Sequence, residues 1–190
     1  MKRKYLPILL ALLLGFGAIW VGMAWGSNAQ DQAQLAARYT ARVAFPLFLL
    51  TYLASSLFTL WPSALPQALV RTRRQWGLSF ALAHFIHLGA LISFYKISGW
   101  EVSSETLAGG GLAYVMLALM AATSNNWSVR RLGRWWKRLH SFGIHWLWFI
   151  FTFTYFGRLT DPESFERGIV QFMLCLAALA VRLIAWRKRR

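Results

Sequence analysis

RRLGRWWKRLHSFGIHWLWFIFTFTYF, residues 130–156, joins a basic, tryptophan-rich run to a long apolar segment that carries His140 and His145. RTRRQWGLSFALAHFIHLGALISFY, residues 71–95, is built the same way, with arginines and Trp76 ahead of an apolar run that carries His84 and His87. Between them the two stretches hold all four histidines of the chain. A bilayer core needs roughly 20 apolar residues per helix, and arginine with tryptophan at the head of such a run marks a membrane boundary. Ionisable groups inside membrane helices are rare and usually functional.

The composition supports a membrane protein. Of the 190 residues 57% are hydrophobic, 16% aromatic and only 14% charged, too apolar for a soluble domain of this length. A net charge of +15 would suggest nucleic acid in a soluble chain. Here Lys and Arg collect in short loops beside apolar spans, so the charge is a topology signal and nucleic acid is not expected as a partner. The single cysteine, Cys175, lies in an apolar run; intramolecular disulfides and thiolate metal clusters are excluded. Redox chemistry in this chain needs an added cofactor.

Six segments approach membrane length: 5–25, 43–61, 76–95, 107–123, 141–156 and 169–185. The fourth and fifth are short as drawn, with room to extend into their flanks. The expected fold is therefore all-α, a polytopic membrane bundle of six transmembrane helices forming one domain over residues 1–190. The first segment, MKRK followed by a leucine-rich run, also resembles a secretory signal. Its apolar part is longer than a signal core and no small-x-small cleavage site follows, so a retained span is expected.

The charges orient the spans. Lys2, Arg3 and Lys4, then Arg71, Arg73 and Arg74, then Arg130, Arg131, Arg134, Lys137 and Arg138, and finally Arg182, Arg187, Lys188, Arg189 and Arg190 all fall on one side. By the positive-inside rule that side is cytoplasmic, and both termini with it. All six acidic residues, Asp31, Glu101, Glu105, Asp161, Glu163 and Glu166, fall in the three loops on the other side. With no carboxylate in a span, a proton-coupled pump or metal-ion transporter is disfavoured. Pro62, Pro66 and Pro162 are expected in loops, and Pro46 in the cheap first turn of the second span. Gly109, Gly110 and Gly111 open an apolar helix without a following Lys-Ser/Thr, so they read as close helix or cofactor packing rather than a phosphate loop. No GxGxxG motif is present, so electrons would have to come from a quinol or a separate reductase.

A membrane-embedded b-type haem needs imidazole nitrogens on facing helices and apolar lining. The third and fifth spans run in the same direction, so distance from the tryptophan anchors Trp76 and Trp135/Trp136 measures depth. His84 and His87 lie 8 and 11 residues past Trp76, and His145 lies 9 to 10 past the other pair, which puts the three within a helical turn of each other. His140 is about 9 Å shallower than His87. Depth therefore favours His145 as partner of His84 or His87. Around the helix, His140 and His145 are about 140° apart and His84 and His87 about 60° apart. Gly143 lies near the His140 face, where it would let a ring approach. Hydrogen-bonded histidines at helix interfaces are the competing interpretation, and the eleven tryptophans read mostly as interface anchors.

With these residues in view, the chain resembles the ferric-reductase-like transmembrane family, in particular the small haem-binding membrane subunits of the bacterial periplasmic methionine-sulfoxide reductase system. Arg73, Arg74, Gly77 and His87 match the family pattern in the third span. Thr123, Ser124, Leu132, Gly133, Trp136, Leu139 and His140 match it at the fourth-to-fifth junction, and ARVAFPLFLLTYLASSL in the second span matches more loosely. The family typically carries a further histidine at the position that is Phe153 here.

The resemblance implies an inner-membrane b-type cytochrome, an electron-transfer subunit rather than a complete enzyme. Electrons would pass from a quinol or a cytoplasmic flavin reductase to a periplasmic molybdopterin enzyme that reduces oxidised methionines. Family members of this kind can also bind a flavin such as FMN. The motif points to His87 and His140 as iron ligands, with His145 and His84 as the geometric alternatives. Arg73, Arg74, Arg134 and Arg138 are candidates for haem propionates or a flavin phosphate. Rival readings are a related cytochrome with a different acceptor, such as a ferric reductase, and a haem-free membrane scaffold or assembly protein.

Overall fold

The computed structural model describes residues 5–160, 162 and 164–189. Lys2, Arg3, Lys4, Asp161, Glu163 and Arg190, which enter the charge pattern, lie outside the described residues. Among the described residues the regular structure is helical: α1 Leu6–Trp25, α2 Ala29–Leu60, α3 Ala64–Arg71, α4 Arg73–Ser98, α5 Ser104–Ala122, α6 Asn126–Leu132, α7 Arg134–Leu159 and α8 Phe165–Lys188.

Five of these, α1, α2, α4, α5 and α8, are long and apolar enough to cross a membrane, so the protein is a multi-pass helical membrane protein. The fifth expected span lies in α7, which at 26 residues is as long as α4 but is not apolar enough to count with the other five. The reason is its composition: two histidines, two threonines and several tryptophans replace aliphatic residues.

The second span is the element most different from expectation. It begins at Ala29 and runs for 32 residues, because the stretch AQDQAQLAAR is rich in strong helix formers that extend the apolar part backwards. Its start is capped: Asn28 Oδ1 accepts from the Asp31 backbone N–H (3.0 Å) while Asp31 Oδ2 accepts from the Ser27 N–H (3.0 Å). Pro46 consequently sits deep inside a helix and not in its first turn. Two junctions expected as loops hold the short helices α3 and α6. Pro66 falls in the first turn of α3, where a missing N–H leaves no helical bond unmade.

Two compact units emerge, one from the chain up to Thr51 with Gln67–Ser103, the other from Tyr52–Pro66 with Ser104 onward. In the first, α1 buries Pro7, Ala11, Gly15, Ala18 and Gly22, a stripe of small residues along one face. A Cβ at Gly15 would lie 2.8 Å from Ile86 Cδ1 of α4, and one at Gly22 would run into the backbone of Leu35 and Ala36 of α2. The opposite face of α1 is large and exposed, with Leu13 71% and Trp20 70% accessible. Small residues inward and large apolar residues outward is the pattern of a lipid-facing helix, since lipid offers apolar side chains no reason to hide. Ala33, Ala36 and Ala37 of α2 pack with Ala90 and Phe94 of α4 on the same principle of close approach.

In the second unit α7 packs against α5, α6 and α8. Three of its tryptophans donate their indole N–H across helices: Trp136 to Thr123 O (2.9 Å), Trp146 to Gly109 O (3.2 Å) and Trp148 to Cys175 O (2.9 Å). These are fastenings within the protein, whereas Trp20, Trp25, Trp61, Trp100, Trp127, Trp135 and Trp186 are exposed as anchors should be. Of the three consecutive glycines, Gly109 alone is tightly packed, a Cβ there meeting Ile150 Cδ1 at 3.2 Å; Gly110 and Gly111 face open space. Arg182 of α8 and Arg189, just past its end, hold the fold together. Arg182 donates to Tyr52 O (2.6 Å) with its guanidinium 4.3 Å from the Tyr52 ring centre, and Arg189 donates to Ser55 O and Thr59 Oγ1.

Candidate functional site

The first unit places His84 and His87 on one side of α4, their ring centres 5.5 Å apart. They continue an aromatic string in which Phe48 of α2 lies 5.5 Å from Phe80, and Phe80 lies 5.3 Å from His84. His87 is held by Thr40 of α2, Oγ1 to Nδ1 at 3.1 Å. The proton positions follow from the rest of Thr40's bonding. Its hydroxyl is 2.7 Å from Ala36 O and 3.1 Å from Ala37 O; a carbonyl can only accept, so the one hydroxyl proton is committed there. Thr40 Oγ1 then accepts from His87 Nδ1–H, and the neutral ring carries its lone pair on Nε2.

The second unit treats its two histidines differently. His140 stacks on Trp136 (ring centres 4.1 Å apart, planes 25°), and its Nε2 lies 3.0 Å from Thr123 Oγ1. That hydroxyl is 2.6 Å from Leu119 O, so by the same reasoning it accepts from His140 Nε2–H and leaves the lone pair on Nδ1. His145 lies with Nδ1 2.7 Å from Ser141 O. Nδ1 must be the donor, and Nε2 carries the lone pair. Its ring meets Tyr52 edge-on, centres 5.7 Å apart.

The junction residues acquire physical roles. Thr123 closes α5, accepts from His140 and, through its carbonyl, from Trp136, so that one residue ties the end of α5 to the start of α7. Gly133, between α6 and α7, has φ +49° and ψ −115°, a conformation that only glycine adopts without strain. Asn125 caps α6 by accepting from the Ser128 N–H at 2.8 Å. Gly77 has no comparable explanation: a Cβ there would meet Thr51 at an ordinary 3.6 Å. Gly143, expected to let a ring approach, is already covered, its missing Cβ replaced by Met120 Sδ at 2.8 Å. Phe153 is 63% exposed and stacks on Phe149.

Arg73 and Arg74 occupy the first turn of α4, and Arg134 opens α7 with Arg138 one turn on. Arg134 and Arg138 are exposed and bracket the Trp135 ring at 5.9 and 4.8 Å. An apolar cleft of about 630 Å³ opens in the first unit among Phe16, Ile19, Ala33, Phe85, Ile86 and Gly89; none of the four histidines lines it.

Among the described residues no three His, Cys, Asp or Glu side chains gather as a bare metal site would require. A haem iron asks for less, because its macrocycle supplies four nitrogens and the protein one or two. Taken singly, His87 in the first unit and His145 in the second each meet that demand: each has Nδ1–H fixed by a hydrogen bond and so a lone pair on Nε2, the way ligating imidazoles are oriented. The residues fit the group. Sequence reasoning found the histidines but missed Thr40 and Tyr52, which only chain-distant contacts reveal.

Proteins similar to this chain are named for binding haem. The chain is 29% identical to the protein-methionine-sulfoxide reductase haem-binding subunit MsrQ of Cronobacter sakazakii, the match covering 98% of this chain and 92% of that one. It is 29% identical to MsrQ of Enterobacter sp. (strain 638), covering 95% and 89%. MsrQ of Pectobacterium atrosepticum is 28% identical, covering 98% and 88%. The resemblance drawn from the two junctions thus extends along nearly the whole chain, which is a relative of the MsrQ haem-binding subunits. No protein-family model matches the chain, and no solved structure matches it.

Proposed function

We propose that this chain, as a relative of the MsrQ haem-binding subunits, is a haem-binding electron-transfer subunit of the bacterial inner membrane. It takes electrons from a quinol or a cytoplasmic flavin reductase and hands them to a periplasmic methionine-sulfoxide reductase of the molybdopterin type. The observation that carries the reading is the Thr40–His87 pair, a membrane-helix imidazole whose Nδ1 proton is committed, so that the lone pair an iron would need is on Nε2. Covalent attachment as a c-type haem needs a C-x-x-C-H motif, which a chain with one cysteine lacks; the haem is held without a covalent bond, as the b-type haem that the resemblance implies would be.

When bound, haem supplies a one-electron iron couple. The chain's own residues do the rest. His87 is the first ligand candidate, followed by His140 on its motif, His145 on its geometry and His84. Phe80, against the His84 ring, and Phe48 behind it are both buried and keep water from that side of α4. Arg73, Arg74, Arg134 and Arg138 stand at helix starts, where anions are favoured, and take haem propionates or the phosphate of an FMN. In the bilayer α7 is the fifth of six spans, an even number that keeps both termini cytoplasmic and the whole chain one membrane domain. Its 26 residues reach about 39 Å, more than the roughly 30 Å of a hydrocarbon core.

Thr40→Val keeps the shape of the side chain and removes the acceptor. Haem affinity is expected to fall about 10–100-fold, measured by titrating haem into apo-protein in detergent; unchanged affinity would show that Thr40 does not orient His87. The acceptor is tested by reducing the haem-loaded protein with a quinol and then adding the sulfoxide reductase with methionine sulfoxide. Reoxidation is expected. Haem that stays reduced would overturn the assignment of that acceptor.

A further inference from the structure

We infer that α7 supplies its iron ligand from His145 through Nε2, and that His140 is a positioning residue that fastens α7 to α5. The inference rests on the haem reading above and concerns which histidine of α7 serves it. Motif and depth point to different residues; the hydrogen bonds decide between them.

His140 has committed Nε2 to Thr123 (3.0 Å), whose own proton goes to Leu119 O. The nitrogen left with a lone pair is Nδ1, which adjoins Cβ and the helix backbone, so a wide planar macrocycle cannot reach it without striking α7 itself. The ring is further fixed face-on against Trp136, which donates to the same residue, Thr123. One turn on, at about 60° around the helix, Met120 fills the space over Gly143. That face of α7 is packed with protein.

His145 differs on each point. Its Nδ1–H is spent on Ser141 O within its own helix (2.7 Å), so the lone pair sits on Nε2, the ring nitrogen farthest from the backbone. The residue is exposed on α7, and the edge-on Tyr52 ring limits its rotation. His87 on α4 has the same protonation pattern, produced by a different partner. Phe153, at the position where relatives of this type are expected to carry a histidine, has no donor atom. His145 is therefore the residue on α7 whose chemistry suits iron.

The test compares purified wild type, His145→Ala, His140→Ala and His140→Gln by haem-to-protein ratio, reduced-minus-oxidised spectrum and thermal unfolding. Glutamine keeps an N–H donor for Thr123 and lacks an imidazole, so it separates fastening from ligation even where alanine impairs folding. His145→Ala is expected to lose at least about tenfold in haem affinity or to show shifted bands, in line with loss of a ligand. His140→Gln is expected to retain haem and spectrum, with His140→Ala unfolding at lower temperature. Wild-type haem content and bands in His145→Ala would overturn the assignment, as would a folded His140→Gln without haem. A wild type that binds no haem is a different result, and overturns the underlying reading itself.

Discussion

His87→Ala is expected to leave the protein folded and without its haem. Loss of the hydrogen-bond partner that orients a ligand costs about 10–100-fold in metal affinity, so removing the ligand itself should exceed about 100-fold. The folded state should survive because His87 is only half-buried and Thr40, to which it is hydrogen-bonded, keeps its own bond to Ala36 O. The measurement is haem per protein in the purified variant, with unfolding temperature alongside. His84→Ala is the companion, one turn away on the same side with its ring 5.5 Å off, and should retain haem. Full retention in His87→Ala would contradict the ligand assignment.

Gly22→Leu has the largest expected effect on folding. Its added side chain would enter the backbone of Leu35 and Ala36, and backbone cannot rotate aside as a side chain can. Overpacking typically costs about 1–3 kcal/mol, and here the small-residue stripe of α1 would have to part from α2. The variant should unfold at lower temperature and yield less monodisperse protein. Gly17→Leu is the control on the same helix, since nothing lies within 4 Å of a Cβ there. Equal unfolding temperatures for the two variants would show that the α1–α2 contact does not depend on glycine.

How much of this was legible in the sequence depended on range. Apolar runs announce membrane helices through a local property, so α1, α4, α5 and α8 lie close to where composition puts them. The first half of α2 escaped because its Ala- and Gln-rich residues are helical without being apolar. With it went the position of Pro46, which is a first-turn residue only if the helix starts late. α7 was legible as a histidine-bearing helix, yet its histidines and tryptophans are what lower its apolarity. The four histidines themselves were plain. Their proton positions were not, because those are set by Thr40, Thr123 and the Ser141 carbonyl, and two of the three lie far away in the chain. The role of Gly143 was misread for the same reason: a bare helix face invites a ring until Met120 of α5 is found on it.

The central claim is that the chain holds haem. Purified in detergent after expression with ample haem, the protein should give the reduced-minus-oxidised spectrum of a b-type cytochrome, with at least one haem per chain by direct assay. Protein that is folded and shows no haem bands under those conditions would contradict it.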